Sequence, residues 1–391
     1  MKFEQGFAPR LAVKRADAVT LTALLIMRVG GMPQNRRSRV GSIALAAIWS
    51  LACAIQIAAA QPPSDEQGLW VADGNYISEF QGAPLASGGT LDAHLAFGIK
   101  DYRDPFSIAF DRQNNVWITD LSDLGSDLAI MEVRRADIVS LKSGTVAKHR
   151  SIIPVGVGVI DSGWVGIGFE EAGALFASNG QQLLEIPRDR LRKTRPSPSI
   201  DISEIGSTFV PGAIRFDASN NLWMTPGSFQ LLRFAPDDRA ASGPPNPGMT
   251  VNLLSNFFIV KDLAFDRSGN LWLAGESLQG MGLVIAEAEM ISAADLEGSG
   301  WISPSPSLII TSSAFGSGPC LGGLDFDRSG DLWVSVIGSN TACQADTQLV
   351  EFTPSQLSTG GNLTPSVTIG QNMTRTNLYL PGPIRFGPTV E

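Results

Sequence analysis

The sequence predicts an all-β fold, a six-bladed β-propeller closed by pairing of its N- and C-terminal strands. Three observations predict it. A phrase typified by FDRSGNLW at 265–272 returns in five places with the same internal spacing. Each return is followed by two further strand-like segments, and the two ends of the chain carry complementary halves of a sixth copy.

The repeated phrase sets Phe seven residues before an aromatic partner: Phe110 to Trp117, Phe169 to Phe176, Phe216 to Trp223, Phe265 to Trp272 and Phe326 to Trp333. An acid always follows the Phe (Asp111, Glu170, Asp217, Asp266, Asp327), and the fourth residue after it is always Asn or Gly (Asn114, Gly173, Asn220, Gly269, Gly330). Asn and Gly accept a left-handed backbone most readily, as a tight hairpin loop requires, and the acid can accept hydrogen bonds from N–H groups across the turn. The phrase is therefore expected to be a β-hairpin, with Ile214 and Phe216 on one face of its first strand and Leu263 and Phe265 on the equivalent face in the next copy.

A third strand ending in a polar turn follows, as in QLLEIPRDRL at 182, QLLRFAPDDR at 230 and QLVEFTPSQL at 348. A fourth is introduced by Pro or Ser, as in PSPSIDI at 196, SPSLIIT at 305 and TPSVTI at 364. Four antiparallel strands per repeat match a propeller blade. PGPIRFG at 381–387 begins a sixth phrase whose Trp half stands at the other end, in EQGLWVAD at 66–73. Pairing the two would leave no open sheet edge between the termini and give one domain over 62–391.

Composition agrees with that class. Among 391 residues, 41 Gly and 24 Pro accompany 43% hydrophobic content, which suits many short strands joined by turns. The first sixty residues differ. NRRSR at 35–39 precedes the apolar run VGSIALAAIWSLACAIQIAAA and then QPPSDE, the layout of a signal peptide with cleavage before Gln61 and an alternative start at Met32. An uncleaved N-terminal membrane anchor is the competing reading, because the run is long enough to span a bilayer. Either way the propeller is expected outside the cytoplasm, periplasmic or extracellular.

Eight of the 29 basic and two of the 38 acidic residues fall within 1–60, so the remainder carries 21 and 36, a formal charge of −15. That balance argues against nucleic acid or anionic lipid as a partner and suits a soluble monomer. Cys320 and Cys343 are then the remaining cysteines, expected to pair as a disulfide across the loop 338–346 in an oxidising compartment.

The phrase, in its x-F-D-x-x-G-N-L-W-V form, resembles the NHL-type and gluconolactonase-like six-bladed propellers, and QLVEFTPSQL with TPSVTI resembles repeats of secreted bacterial proteins. The resemblance covers nearly all of 62–391 and rests on hairpin and core residues, so what it implies is architecture. The gluconolactonase-like enzymes hold a divalent metal at one mouth of the central channel with a Glu, one or two Asn and an Asp. At the equivalent positions this chain has Phe106-Ser107, Val165-Gly166, Gly212-Ala213, Lys261-Asp262, Gly322-Gly323 and Gly382-Pro383, which do not supply that set.

The candidate ligand-binding residues are the charged groups expected on loops around that mouth: Asp73, Asp104, Asp120, Lys261, Asp262 and Glu276. A binding or scaffolding module for a small polar ligand, a glycan or a peptide is the leading expectation. The alternative is a metal-dependent lactone or ester hydrolase that draws Ca²⁺ or Zn²⁺ ligands from the same acids. DFDRSGD at 325–331 imitates the start of a calcium loop, but Val336 stands where a bidentate Glu belongs. His94 and His149 have no second ligand at metal spacing and are expected at the surface. No nucleophile elbow, zinc helix, redox pair or phosphate loop is present.

Overall fold

The computed structural model describes residues 67–390 except 74–75, 83–84, 87, 91–92, 100–104, 121–128, 156–165, 180, 204–212, 228–229, 254–258, 280–282, 317, 319, 338–346 and 371–380. The leader, with its two start sites and cleavage point, lies outside the described residues, as do Asp104, Cys343 and the side chains of Asp73 and Asp120. The described residues all belong to the unit Ser64–Glu391.

Six sheets follow one another along the chain. Blade 1 joins the C-terminal strand Pro381–Pro388 to Gln67–Asp73, Tyr76–Phe80 and Leu95–Ile99. Blades 2 to 6 begin at Pro105–Phe110, Gly166–Phe169, Ile214–Phe216, Ile259–Phe265 and Leu321–Phe326. Each continues outward in sequence through three more antiparallel strands. Closure takes the expected form: Gln67, Leu69, Trp70 and Val71 pair antiparallel with Pro388, Phe386, Arg385 and Ile384.

The left-handed turn residue read from the repeat is present in all five hairpins, and the acid's hold on the turn in four of them. Asn114 and Asn220 have positive φ (61° and 60°), as do Gly173, Gly269 and Gly330 (92°, 80° and 88°). Asp111 Oδ1 accepts the N–H groups of Gln113 and Asn115, and Asp217, Asp266 and Asp327 repeat that pattern. In blades 2, 4 and 5 the acid's second oxygen also accepts the Asn side-chain amide and the indole Nε1 of Trp117, Trp223 or Trp272. One carboxylate thus fixes both the loop and the rotamer of the aromatic six residues later.

That rotamer matters because the aromatics stitch the blades together. Trp70, Trp117, Phe176, Trp223, Trp272 and Trp333 each meet the Phe of the next blade edge to face, with centroids 5.5–6.3 Å apart. The last contact, Trp333 to Phe386, falls at the closing strand. All five Trp side chains are 1–2% exposed, so each removes a large apolar area from water at a blade interface.

Blade 3 departs from the pattern in a compensated way. Its acid is Glu170 and its aromatic Phe176, which has no N–H to offer. Arg239 of blade 4 takes up the carboxylate at 3.0 Å and lies over both Phe176 and Phe216, 4.8 and 5.3 Å from their centroids.

A further device was not read from the sequence. The segment between the third and fourth strands of each blade binds the outermost strand of the blade before it, in parallel where strands form. Thr145–Ala147 pairs with blade 1, Gly300–Ile302 with blade 4, Gly361–Asn362 with blade 5 and Gly89–Thr90 with blade 6. At the other two junctions Gly243 bridges Ile202, and Ile153 and Val155 donate to the carbonyls of Thr194 and Pro196. Every blade is therefore attached to its predecessor at the rim as well as through its faces.

Candidate functional site

The first strand of each blade runs from the mouth toward the hairpin turns, and the second returns. Asp73 and Asp120 are the last residues of second strands, at the mouth end, rather than on loops. Lys261, Asp262 and Glu276 were expected on loops, but the structure places all three inside sheet strands, Ile259–Phe265 and Leu271–Gln279. The strands extend past all three positions: Ile259–Phe265 begins before Lys261 and Leu271–Gln279 ends beyond Glu276, and the inner strands of blades 2 and 6 likewise cover the positions equivalent to Lys261 and Asp262.

Lys261 sits at an irregularity between Val260 and Asp262 and pairs with Glu276 at 3.2 Å. Asp262 does not open toward the mouth. Its residue is 2% exposed, and both oxygens are taken up. Arg215 of blade 4 donates to Oδ1 and Oδ2 at 2.8 and 3.1 Å, and Arg385 of the closing strand donates to Oδ2 at 2.8 Å. The N–H groups of Leu263 and Leu324 complete the set. Beside it, Asp325 of blade 6 accepts the N–H groups of Phe326 and Phe386.

Two arginines and two aspartates from four blades thus form one charged knot among the innermost strands. Gly323 is needed for it: a Cβ there would lie 2.9 Å from the Pro383 Cα and 3.0 Å from Asp262 Oδ2. Burial pushes the Asp262 carboxyl up to about 7, against the pull of Arg215 and the N–H donors, with Asp325 adding to the rise. Burial likewise raises Asp325.

The sequence singled out Asp262 as a mouth residue and Asp325 only as an oxygen of the imitation calcium loop, and it gave no notice of Arg215 or Arg385. The signal lay one residue before the repeated Phe, where the six copies read Ala109, Gly168, Arg215, Ala264, Asp325 and Arg385. Three are small and three charged, and the three charges fall together in the knot.

The imitation calcium loop does not gather its oxygens. Asp325 is committed as described, while Asp327 Oδ1 accepts the N–H groups of Ser329 and Asp331 within the turn. Among the described residues no group of three or more His, Cys, Asp or Glu could hold a metal ion. His94 is exposed and His149 half-buried, and Cys320 is fully buried at the start of blade 6.

Other carboxyls are buried in the sheets. Glu287 and Glu289 lie side by side on one face of Leu283–Ile291, 4% and 2% exposed. Burial and then the neighbouring Glu287 raise Glu289 to about 8. Glu79 accepts the Val390 N–H, and burial raises it to about 7 against that bond and Arg135.

On the opposite face, among the hairpin turns, blades 2 and 3 border a cleft of about 1030 Å³. Its wall is fixed by Arg150, which ion-pairs with Glu132, donates to the Leu191 carbonyl and lies 5.8 Å from the Trp117 ring centroid. Arg134, Arg188 and Arg192 also line it.

No family model matches the chain, and no curated protein matches it in sequence. Solved structures align with the chain at low identity and with TM-scores below 0.5. A Bacteroides caccae protein of unknown function aligns over 83% of this chain and all of its own, at 10% identity and TM-score 0.49. A Lactobacillus plantarum protein aligns over 82% and 99% at 13% identity and TM-score 0.46. The PQQ-bound aldose sugar dehydrogenase of Streptomyces coelicolor aligns over 78% and 98% at 14% identity and TM-score 0.38. The six-bladed assignment rests on this chain's own sheets, and the dehydrogenase activity is a property of that neighbour alone. No helix among the described residues is long and apolar enough to cross a membrane.

Proposed function

We propose that the propeller is an exported binding or scaffolding module that holds a small polar ligand, a glycan or a peptide with the loops at one mouth of its channel. One observation carries this reading over a metal-dependent lactone or ester hydrolase. Asp262, the one acid at the positions equivalent to the family's metal ligands, has both oxygens occupied by two guanidiniums and two backbone N–H groups. A cation there would have to displace Arg215 and Arg385 from a buried carboxylate, at a cost of several kcal/mol, roughly that of breaking a buried ion pair. Glu276 is likewise engaged, with Lys261. The function therefore falls to the loops, as is usual where a rigid scaffold presents variable connections.

Export through the leader 1–60, a monomeric state and a Cys320–Cys343 disulfide belong to the same proposal, and the remaining choice between secretion and an N-terminal anchor follows from whether cleavage occurs before Gln61. Residues 61–391 should be melted with Ca²⁺, Zn²⁺ and panels of neutral oligosaccharides and peptides, and assayed for lactone opening. Stabilisation by an organic ligand with no turnover is the expected result. Lactone hydrolysis that a chelator abolishes and Ca²⁺ or Zn²⁺ restores would establish the hydrolase instead.

A further inference from the structure

The segment PRDRLRKTR at 187–195 carries five basic residues and one acid in a chain whose formal charge is −9. Its backbone is tied down. Leu191 is buried, Arg190 donates to the carbonyls of Ser197 and Pro198, and the Thr194 and Pro196 carbonyls accept from blade 2. The cations therefore stand on an ordered turn beside the cleft between blades 2 and 3.

Two kinds of arginine line that cleft. Arg150 is already neutralised by Glu132 and serves the wall. Arg134, Arg188 and Arg192 are exposed, and their side chains have no ion pair or hydrogen bond among the described residues. The acids nearby do not answer them. Glu132 belongs to Arg150, and Asp111 is spent on its turn and on Trp117. Only the exposed Asp189 remains. Crowding is increased by Arg112, whose stem lies with that of Arg188 beside Gly173: a Cβ on that glycine would stand 3.7 and 3.2 Å from their Cδ atoms. Like charges held together without counter-ions cost free energy, and an oxyanion is the partner that would recover it.

We propose that this cleft, on the face away from the mouth, binds a small, hydroxyl-bearing ligand carrying two or more carboxylate or phosphate charges. Guanidinium forks match both groups with paired N–H donors, which a lysine cluster would not do as well. Asp189 and the exposed Gln113 supply acceptors and donors for hydroxyls. The volume is near the upper end for small-ligand sites, about 300–1,000 Å³. A long polyanion is disfavoured because it would extend beyond these arginines over a chain whose formal net charge is −9.

The test uses residues 61–391 at low ionic strength with citrate, glucose 6-phosphate and inorganic phosphate as probes, and with glucose and matched NaCl as controls. Calorimetric titration should detect citrate or glucose 6-phosphate binding but not glucose binding. Citrate against glucose 6-phosphate tells carboxylate from phosphate preference. The triple variant Arg134→Ser, Arg188→Ser, Arg192→Ser should melt like wild type without ligand and lose at least tenfold in affinity, while Arg190→Ser should retain binding. Equal binding by the triple variant would overturn the proposal, as would no binding by any probe. So would a preference for heparin or single-stranded RNA over the small anions. This outcome is independent of the mouth, which these substitutions do not touch.

Discussion

The channel and the turn face use the same side chain for opposite ends. In the channel, the half-buried Arg215 and the buried Arg385 close on Asp262 from two other blades, so that both of its oxygens are matched. On the turn face, Arg134, Arg188 and Arg192 stand exposed around a hollow whose one uncommitted acid is Asp189. The difference teaches that charge in this propeller is structural where it is paired between blades and available for recognition where it is not. Residue type alone does not separate the two.

The comparison breaks most severely if the ring is opened. Truncation before Pro381 removes the inner strand of blade 1, Arg385 and the Trp333–Phe386 contact together, and should abolish cooperative melting of residues 61–380 by circular dichroism. Next comes Asp262→Ala, which leaves two buried guanidiniums facing each other. A loss of about 3–5 kcal/mol in denaturant unfolding is expected, whereas neutralising the cleft arginines should change stability by no more than about 0.5 kcal/mol. Equal losses at both places would erase the distinction.

A smaller effect follows pH. Glu289 and Glu79 are raised to about 8 and 7 when folded, so between about pH 4.5 and 8 the folded chain holds more protons than the unfolded one. Stability should therefore fall as pH rises through that window, by at most about 1.4 kcal/mol per pH unit for each group. The melting temperature is expected to be higher at pH 5.5 than at pH 8.5, and Glu289→Gln should flatten the slope.

The smallest effect concerns a hairpin. Blade 6 has Asp331 where three other blades have Asn, and the buried Trp333 Nε1 has no hydrogen-bond partner among the described residues. Burial, with Asp327 and Glu351 nearby, raises Asp331 to about 6. Asp331→Asn should restore the bond network of blades 2, 4 and 5 and stabilise the chain by about 1 kcal/mol, the worth of one hydrogen bond. The gain should be larger at pH 8 than at pH 5, where a protonated Asp331 already substitutes for the amide.

The parts of the molecule legible from sequence were those that repeat locally. The five turns followed from Phe, acid, Asn or Gly and Trp at fixed spacing, because the chemistry of each is complete within eight residues, and the joined ends followed from the two halves of a sixth copy. The channel knot was illegible because its partners lie 47 and 123 residues apart and occupy a position that three copies fill with Ala or Gly. Lys261, Asp262 and Glu276 were misplaced because the repeat fixes its Phe and Trp but not how far the strands run beyond them. The cleft was missed for a related reason: it takes Arg134 from one blade and Arg188 and Arg192 from the next, and neither segment is distinctive alone.

The rim attachments give the ring a direction. Because each blade overlaps the one before it, like shingles laid around a drum, no sector can swing outward without first lifting the flap of its successor. Such a body should resist nicking by proteases at a single blade and come apart only as a whole. A ligand held at either face would then sit on a frame that does not breathe sector by sector.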